Sequence, residues 1–398
     1  MTGLGGAGIA LATDRLTASG PTPAEQARAA AQAPVTGDGT HQPGIVERPP
    51  AQLVFTAYDL TATDPATARA ALTSVLRTWT PAARTLMAGG RLPGNEHDAD
   101  GLGPAGLTVT IGLGATVLGR AGLDNQLPGQ LAPLPAFSTD ALDPARGGGD
   151  LAVAVCAEDP MVAFSAARQL QRLASPHARA RWSQRGFLRT AAAATDPNAT
   201  PRNLMGQLDG TNNPTPGTAT FDTAVWAGAD GPAWMAGGTY LVTRRIRMLL
   251  DGWDRLSEAG QEHVIGRRKT DGAPLSADPD TATETTPPDL AVTTADGALV
   301  IPANAHIRLA NPAFHGGVRM FRRGYSYDDG LDATATPDAG LFFQAYQADP
   351  RTAFVPVQRT LASSDALTAF IQHTASALFA IPPAPRGGGY LAQPLLET

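Results

Sequence analysis

Three separated tracts carry side chains whose types could together do chemistry. The first is Arg202-Asn203-Leu204-Met205-Gly206-Gln207-Leu208-Asp209-Gly210-Thr211-Asn212-Asn213-Pro214, which sets Asp209 between glycines in a segment too polar and turn-rich for a core strand or helix. The second is His306-Ile307-Arg308-Leu309-Ala310-Asn311-Pro312, and the third is Phe321-Arg322-Arg323-Gly324-Tyr325-Ser326-Tyr327. A carboxylate can take up a proton and return it elsewhere. A neutral imidazole can bind a metal through one ring nitrogen and donate the other N–H. A fixed guanidinium stabilises negative charge as it develops. Glycines flanking Asp209 allow the backbone close to a ligand, although an Asp-Gly pair by itself reads equally as a turn. Arg322 and Arg323 compete for one cationic role, because alternation along a strand from Met320 to Tyr327 sends them to opposite faces.

These residues need a scaffold, and its elements are legible in outline. Gln52–Leu60 is β-branched and aromatic, a strand pattern. Asp64-Pro65 opens a helical run to about Met87, with Ala71, Leu72, Val75, Leu76 and Trp79 at 3- and 4-residue spacing. Strands follow at Leu107–Gly112 and Leu151–Ala157, then a helix at Pro160–Leu173; residues 121–150 form a long loop. The second half repeats the grammar: a strand at Gly238–Leu250, a helical stretch from Trp253 to about Ile265, a strand at Leu341–Gln347 and an amphipathic helix expected over Asp365–Phe379. Phe55-Thr56-Ala57-Tyr58 and Phe343-Gln344-Ala345-Tyr346 share a small pattern, a light hint of duplication. Two similar halves of alternating strands and helices predict an α+β protein of two modules, each an antiparallel sheet backed by helices.

Asp in Gly-x-x-Asp-Gly, then His, then Arg, in this order, resembles the haem pocket of the dye-decolourising peroxidases. The resemblance extends to His41-Gln42-Pro43-Gly44-Ile45 and to Gln347-Ala348-Asp349-Pro350, so it covers roughly residues 39 to 396. It implies two ferredoxin-like domains, 39–200 and 201–398, with haem b held by the second. On this resemblance His306 is the axial ligand of the haem iron, Asp349 accepts its second N–H, Arg267 of Ile265-Gly266-Arg267-Arg268-Lys269 meets a propionate, and Gly210 and Thr211 contact the cofactor. The bidentate fit of guanidinium to carboxylate supports the Arg267 assignment. Asp209 and Arg322 are the implied catalytic pair, which selects Arg322 over Arg323. The implied activity is reduction of hydrogen peroxide through a ferryl state, with dyes, phenols or other bulky donors oxidised in one-electron steps. Such donors could deliver electrons at the surface through Tyr or Trp, with Tyr325, Tyr327, Trp226, Trp234 and Trp253 nearest the site motifs in sequence, although each reads first as plain packing. The alternative within the same resemblance is a haem-handling, deferrochelatase-like protein that releases iron from haem.

Composition narrows the rest. With 398 residues there is room for two domains, each with its own core. Thirty basic and 36 acidic residues give a net charge of −6 with no basic block, which argues against a nucleic-acid partner. No stretch is apolar for long enough to cross a membrane as a helix, and a homo-oligomer is compatible with the sequence. The lone Cys156 excludes an intrachain disulfide and sits in an apolar run that suits packing. His315 is a rival ligand close to His306, while His97 in Glu96-His97-Asp98-Ala99-Asp100 reads as a solvated loop. Residues 1–38 read as a leader remnant or flexible arm. Their small apolar run lacks a charged n-region, and the resemblance implies twin-arginine export to the cell exterior. The glycines at 3, 5 and 8 satisfy G-x-G-x-x-G, but no strand precedes them, so a dinucleotide site is not expected.

Overall fold

The computed structural model of the protein describes residues 20–37, 39–94, 97–196 and 198–397. Of the stretch read as a leader or arm, residues 1–19 and 38 therefore lie outside the described residues. Within that stretch, Pro23–Gln32 is a helix (α1) rather than an irregular arm. Thr22 and Glu25 form its capping box, and Arg28 donates to the carbonyls of Ala191 and Ala194, which docks it on the body.

The elements that follow are β1 (Gln52–Leu60), α2 (Pro65–Met87), β2 (Thr108–Gly114), α3 (Ala115–Arg120), β3 (Leu151–Ala157), α4 (Pro160–Ala174) and β4 (Ala178–Phe187). Next come α5 (Ala219–Val225), β5 (Thr239–Met248), α6 (Leu250–Trp253), α7 (Glu258–Ile265), α8 (His306–Leu309) and β6 (Phe321–Arg322). The chain closes with β7 (Tyr325–Leu331), β8 (Pro337–Gln347), α9 (Phe354–Ser364), β9 (Ile371–Ile381) and α10 (Gln393–Leu396). Asp64 and Asp159 accept from the first-turn amides of α2 and α4, and a proline follows each, where its missing N–H is harmless.

Strand order β2-β3-β1-β4 in the first half is matched by β9-β5-β8-β7 in the second. Every pairing among these strands is antiparallel. Both halves thus have the ferredoxin-like arrangement of an antiparallel sheet with helices between strands. The two sheets also join edge to edge, Leu113 opposite Ala380 and Phe187 opposite Ser326, so the strand pairing closes on itself and leaves few open edges. Phe55, Tyr325, Tyr327, Phe342 and Phe379 are buried together inside this closed sheet. On the outer side of the first sheet, α2 and α4 bury Leu72, Leu76, Trp79 and Leu170. The C-terminal residues return to that first core: Leu395 is fully buried there, and Arg69 donates to the carbonyl of Leu396.

One expected element is wrong. Asp365–Phe379 is not an amphipathic helix; after a short 3-10 turn, Ile371–Ile381 is β9, whose residues from 373 to 379 alternate between buried and half-exposed. Small residues in Ala375-Ser376-Ala377 fit either period, and the open edge of β5 decides the matter by supplying ten paired positions. The helix of this region lies just before, at α9. His306 opens a single helical turn.

Candidate active site

The Asp209 loop is a small hairpin. Arg202 pairs with Leu208, and the Asp209 amide donates to the carbonyl of Pro201 at 2.8 Å. Asn203 holds the turn through Oδ1, which accepts from the amides of Met205 and Gln207, while its Nδ2 reaches Asp209 Oδ2 at 3.2 Å. Gly210 has φ +124, which an L side chain rarely adopts, so the glycine after Asp209 is required by the backbone.

Asn213 links this loop to β6. Its Oδ1 accepts from the Arg322 amide at 3.0 Å and its Nδ2 donates to the Arg322 carbonyl at 2.8 Å. The Arg322 side chain then points back over the loop. Nη2 donates to the Thr211 carbonyl at 2.7 Å, and Nη1 lies 3.8 Å from Asp209 Oδ1. Arg323 faces the other way, almost fully buried, with its guanidinium donating to the carbonyls of Ile45 and Glu47. Alternation along the strand therefore gives one arginine to the site and one to the interior, as the sequence predicts.

Arg267 follows Gly266, whose left-handed φ of +92 ends α7. Its Nη1 donates to the carbonyls of Gly272 and Glu284. Burial and the neighbouring Arg322 charge make its cationic form less favourable than usual, and Glu284 opposes them. Glu284 also accepts from Thr211 Oγ1 at 2.5 Å. Arg267, Glu284, Thr211 and Arg322 thus form one connected set. Nothing in the sequence pattern marks Glu284, which lies in a long polar stretch.

His306 begins α8, and its Nδ1 is 2.6 Å from Asp365 Oδ2. This corrects the expectation for Asp349, which instead makes a forked pair with Arg351. Asp365 follows α9 and caps the next turn: Oδ1 accepts from the Leu367 amide, which leaves Oδ2 for the imidazole. The sequence does show an Asp at a helix-start position there, but capping uses one carboxylate oxygen and gives no sign of where the other points. Burial works against a charged His306, yet the Asp365 carboxylate outweighs it and holds the ring's titration above its usual range. Arg322 and Asp209 act on the same imidazole with opposite signs. His315 spends Nε2 on the Leu309 carbonyl at 2.7 Å, which disfavours it as a ligand. His97 is exposed and pairs with Asp100, and Cys156 is buried. Among the described residues no group of three His, Cys, Asp or Glu side chains is set to hold a bare metal ion, and no helix is long and apolar enough to cross a membrane.

The donor set fits a haem. Asp365 fixes the His306 tautomer and leaves Nε2 without a protein partner among the described residues. Arg267 offers a held cation of the kind a propionate pairs with. A separate cavity of about 390 Å³ lies beside this set, lined by Asp209, Gly210, Asn213 and Arg322 and by none of residues 306–313. The aromatic residues nearest the site motifs are placed for packing rather than for surface contact. Tyr325, Tyr327, Trp234 and Trp253 are buried, and Trp226 is half-buried and stacked on His41 at 3.5 Å. None of those four can touch a donor directly. Trp182, which the sequence reading passed over, is half-exposed and stacks on Phe55.

A paired ferredoxin-like scaffold that carries a carboxylate-backed histidine, a second carboxylate and a guanidinium suits a haem-dependent peroxidase. The Dyp-type peroxidase N-terminal and C-terminal family models match residues 42–188 and 200–386, and the chain belongs to that family. A dye-decolorizing peroxidase of Thermobifida fusca is 46% identical, covering 99% of this chain and 94% of that protein. A crystal structure of a DyP-type peroxidase from Streptomyces coelicolor is 49% identical with a TM-score of 0.89, covering 93% of this chain and 99% of that one. A deferrochelatase of Yersinia pseudotuberculosis is 34% identical, covering 90% of this chain and 84% of that protein.

Proposed function

We propose that the protein reduces hydrogen peroxide and oxidises bulky aromatic donors, dyes and phenols among them, outside the cytoplasm. The observation that carries this reading is the His306–Asp365 contact together with an Arg322 held by Asn213 and the Thr211 carbonyl beside Asp209. Haem b bound through His306 would supply the iron that relays electrons from donor to peroxide. Asp209 takes the proton from one peroxide oxygen and returns it to the other, which departs as water. Arg322, fixed by Asn213 and the Thr211 carbonyl, stabilises the negative charge on the departing oxygen. Asp365 holds the imidazole in one tautomer and strengthens its donation. Two donors each lose one electron, and two protons complete the second water.

Rapid mixing of the haem-loaded protein with one equivalent of peroxide tests the reading. A prompt spectral change that a dye or phenol then reverses, with the dye bleached, is the expected result. Metal-free porphyrin and released iron without oxidation of any donor would instead favour the iron-releasing activity named for the Yersinia relative.

A further inference from the structure

The cavity beside Asp209 takes no wall from residues 306–313; it opens on the Asp209 side, between the two modules. Leu188, Phe321 and Leu341 give it apolar walls, and its lining holds five arginines against a single carboxylate, that of Asp209. Two of the five are already balanced: Arg48 pairs with Glu158 at 3.1 Å, and Arg322 faces Asp209. Arg323 is turned into the interior. Arg189 and Arg202 remain. Arg189 donates to the carbonyls of Asp196 and Ala199, and the Asp196 carboxylate turns instead to the Asn198 amide. Arg202 donates to the carbonyls of Gly206, Lys269 and Thr270. Carbonyl dipoles fix both guanidiniums without cancelling their charge, so the mouth carries two preorganised cations that have no carboxylate partner among the described residues.

We propose that this cavity is a binding subsite for an aromatic reductant bearing an anionic group, a sulfonate or carboxylate, with the ring against Leu188, Phe321 and Leu341 and the anion at Arg189 and Arg202. A volume of about 390 Å³ suits one fused ring system. Cations already held in place lose little freedom when the anion arrives. Their charge also draws anions in from solution, an attraction that salt screens. The role as a reductant site rests on the peroxidase reading; the anion site itself does not.

The test uses the haem-loaded protein with 2-naphthol and 2-naphthol-6-sulfonate as a matched pair, and calorimetric titration with naphthalene-2-sulfonate. Arg189→Gln should weaken sulfonate binding about tenfold, as for loss of one charge-assisted contact, while Arg189→Lys retains most of it. The same variant should raise the KM for the sulfonated naphthol and leave unsulfonated naphthol oxidation and haem transfer to apomyoglobin unchanged. Unchanged sulfonate affinity in Arg189→Gln overturns the proposal. Faster haem loss with unchanged sulfonate affinity also overturns it and assigns the cations to a haem propionate. Should Arg189→Gln fail to fold, the wild-type protein decides: sulfonate affinity must fall with rising salt, and a flat response rejects the site. Binding without turnover of either naphthol would sink the peroxidase reading alone.

Discussion

At the scale of single residues, the site divides into what spacing reveals and what it hides. Asp209, His306 and Arg322 were legible because each sits in a short tract with its own local signal, and the fold brings them into one neighbourhood. The carboxylate behind His306 was not legible, because Asp349 and Asp365 both begin local turns and only tertiary packing sends one of them to the imidazole. That difference can be measured. Asp365→Asn should weaken haem retention by about 10–100-fold, the usual worth of a group that orients a metal-bound histidine, whereas Asp349→Asn should leave retention unchanged. His306→Ala should yield protein with little bound haem and His315→Ala protein with a normal Soret band; equal loss from both would remove His306 as the sole ligand. On the opposite face, Asp209→Ala should slow the reaction with peroxide by about 10²–10⁴ and Arg322→Ala by about 10²–10³. Rapid-mixing rates at matched haem content would show this, and near wild-type rates for both would remove the proton-transfer and charge-stabilising roles together.

At the scale of elements, strands and helices with strong start signals were read closely, as with β1, α2 and β3, which match the sequence reading at both ends. The reading failed where short Ala- and Ser-rich segments fit two periods, as in β9, and where an element's identity depends on a distant partner strand. The junction of α7 and α8 shows how elements position the cofactor's contacts. A Cβ on Gly266 would lie 2.7 Å from Ile307 Cγ1, so the missing side chain lets the turn carrying Arg267 pack against the turn carrying His306. Gly266→Ala should cost about 1–2 kcal/mol from the left-handed backbone alone, with more from the contact, and should weaken haem binding as well as lower Tm. Arg267→Ala differs in kind. It should weaken haem retention yet leave the peroxide rate of the surviving haem-loaded protein within roughly tenfold, because the group stabilises the bound cofactor rather than the transition state. A loss of Tm without any change in haem affinity in Gly266→Ala would uncouple the two turns.

At the scale of the whole molecule, β5, β9, α9 and the long loop together enclose polar groups that the sheet alone would leave in water. Arg244 of β5 is almost fully buried, paired with Asp140 from the long loop and lying over the Phe137 ring. His373 of β9 is buried beside them, with Gln358 of α9 at 3.3 Å from Nε2 and no partner on Nδ1 among the described residues. Neither the loop–strand pairing nor this cluster could be read from the sequence, since its members lie far apart in the chain. Burial first, then the Arg244 charge, push the His373 pKa down from 6.5 to about 4, with Asp140 opposing. A histidine depressed in the folded state stays neutral there while the unfolded chain takes up a proton. Its contribution is therefore fully present above pH 6.5 and is lost as pH falls from 6.5 towards about 4. The shift corresponds to a loss of about 3 kcal/mol across that window, as an order of magnitude. His373→Gln removes the titration and keeps a neutral polar partner for Gln358. Urea unfolding of the haem-loaded protein at several pH values should then show wild type losing stability faster than the variant between pH 6.5 and 4. Carboxylates held below their usual range, such as Asp332 beside Thr334 and Arg247, act on both proteins alike and cancel in the difference. If the two fall in parallel, the space between α9 and the sheet admits the extra proton freely, and the Arg244–His373 cluster does not set the acid limit of the fold.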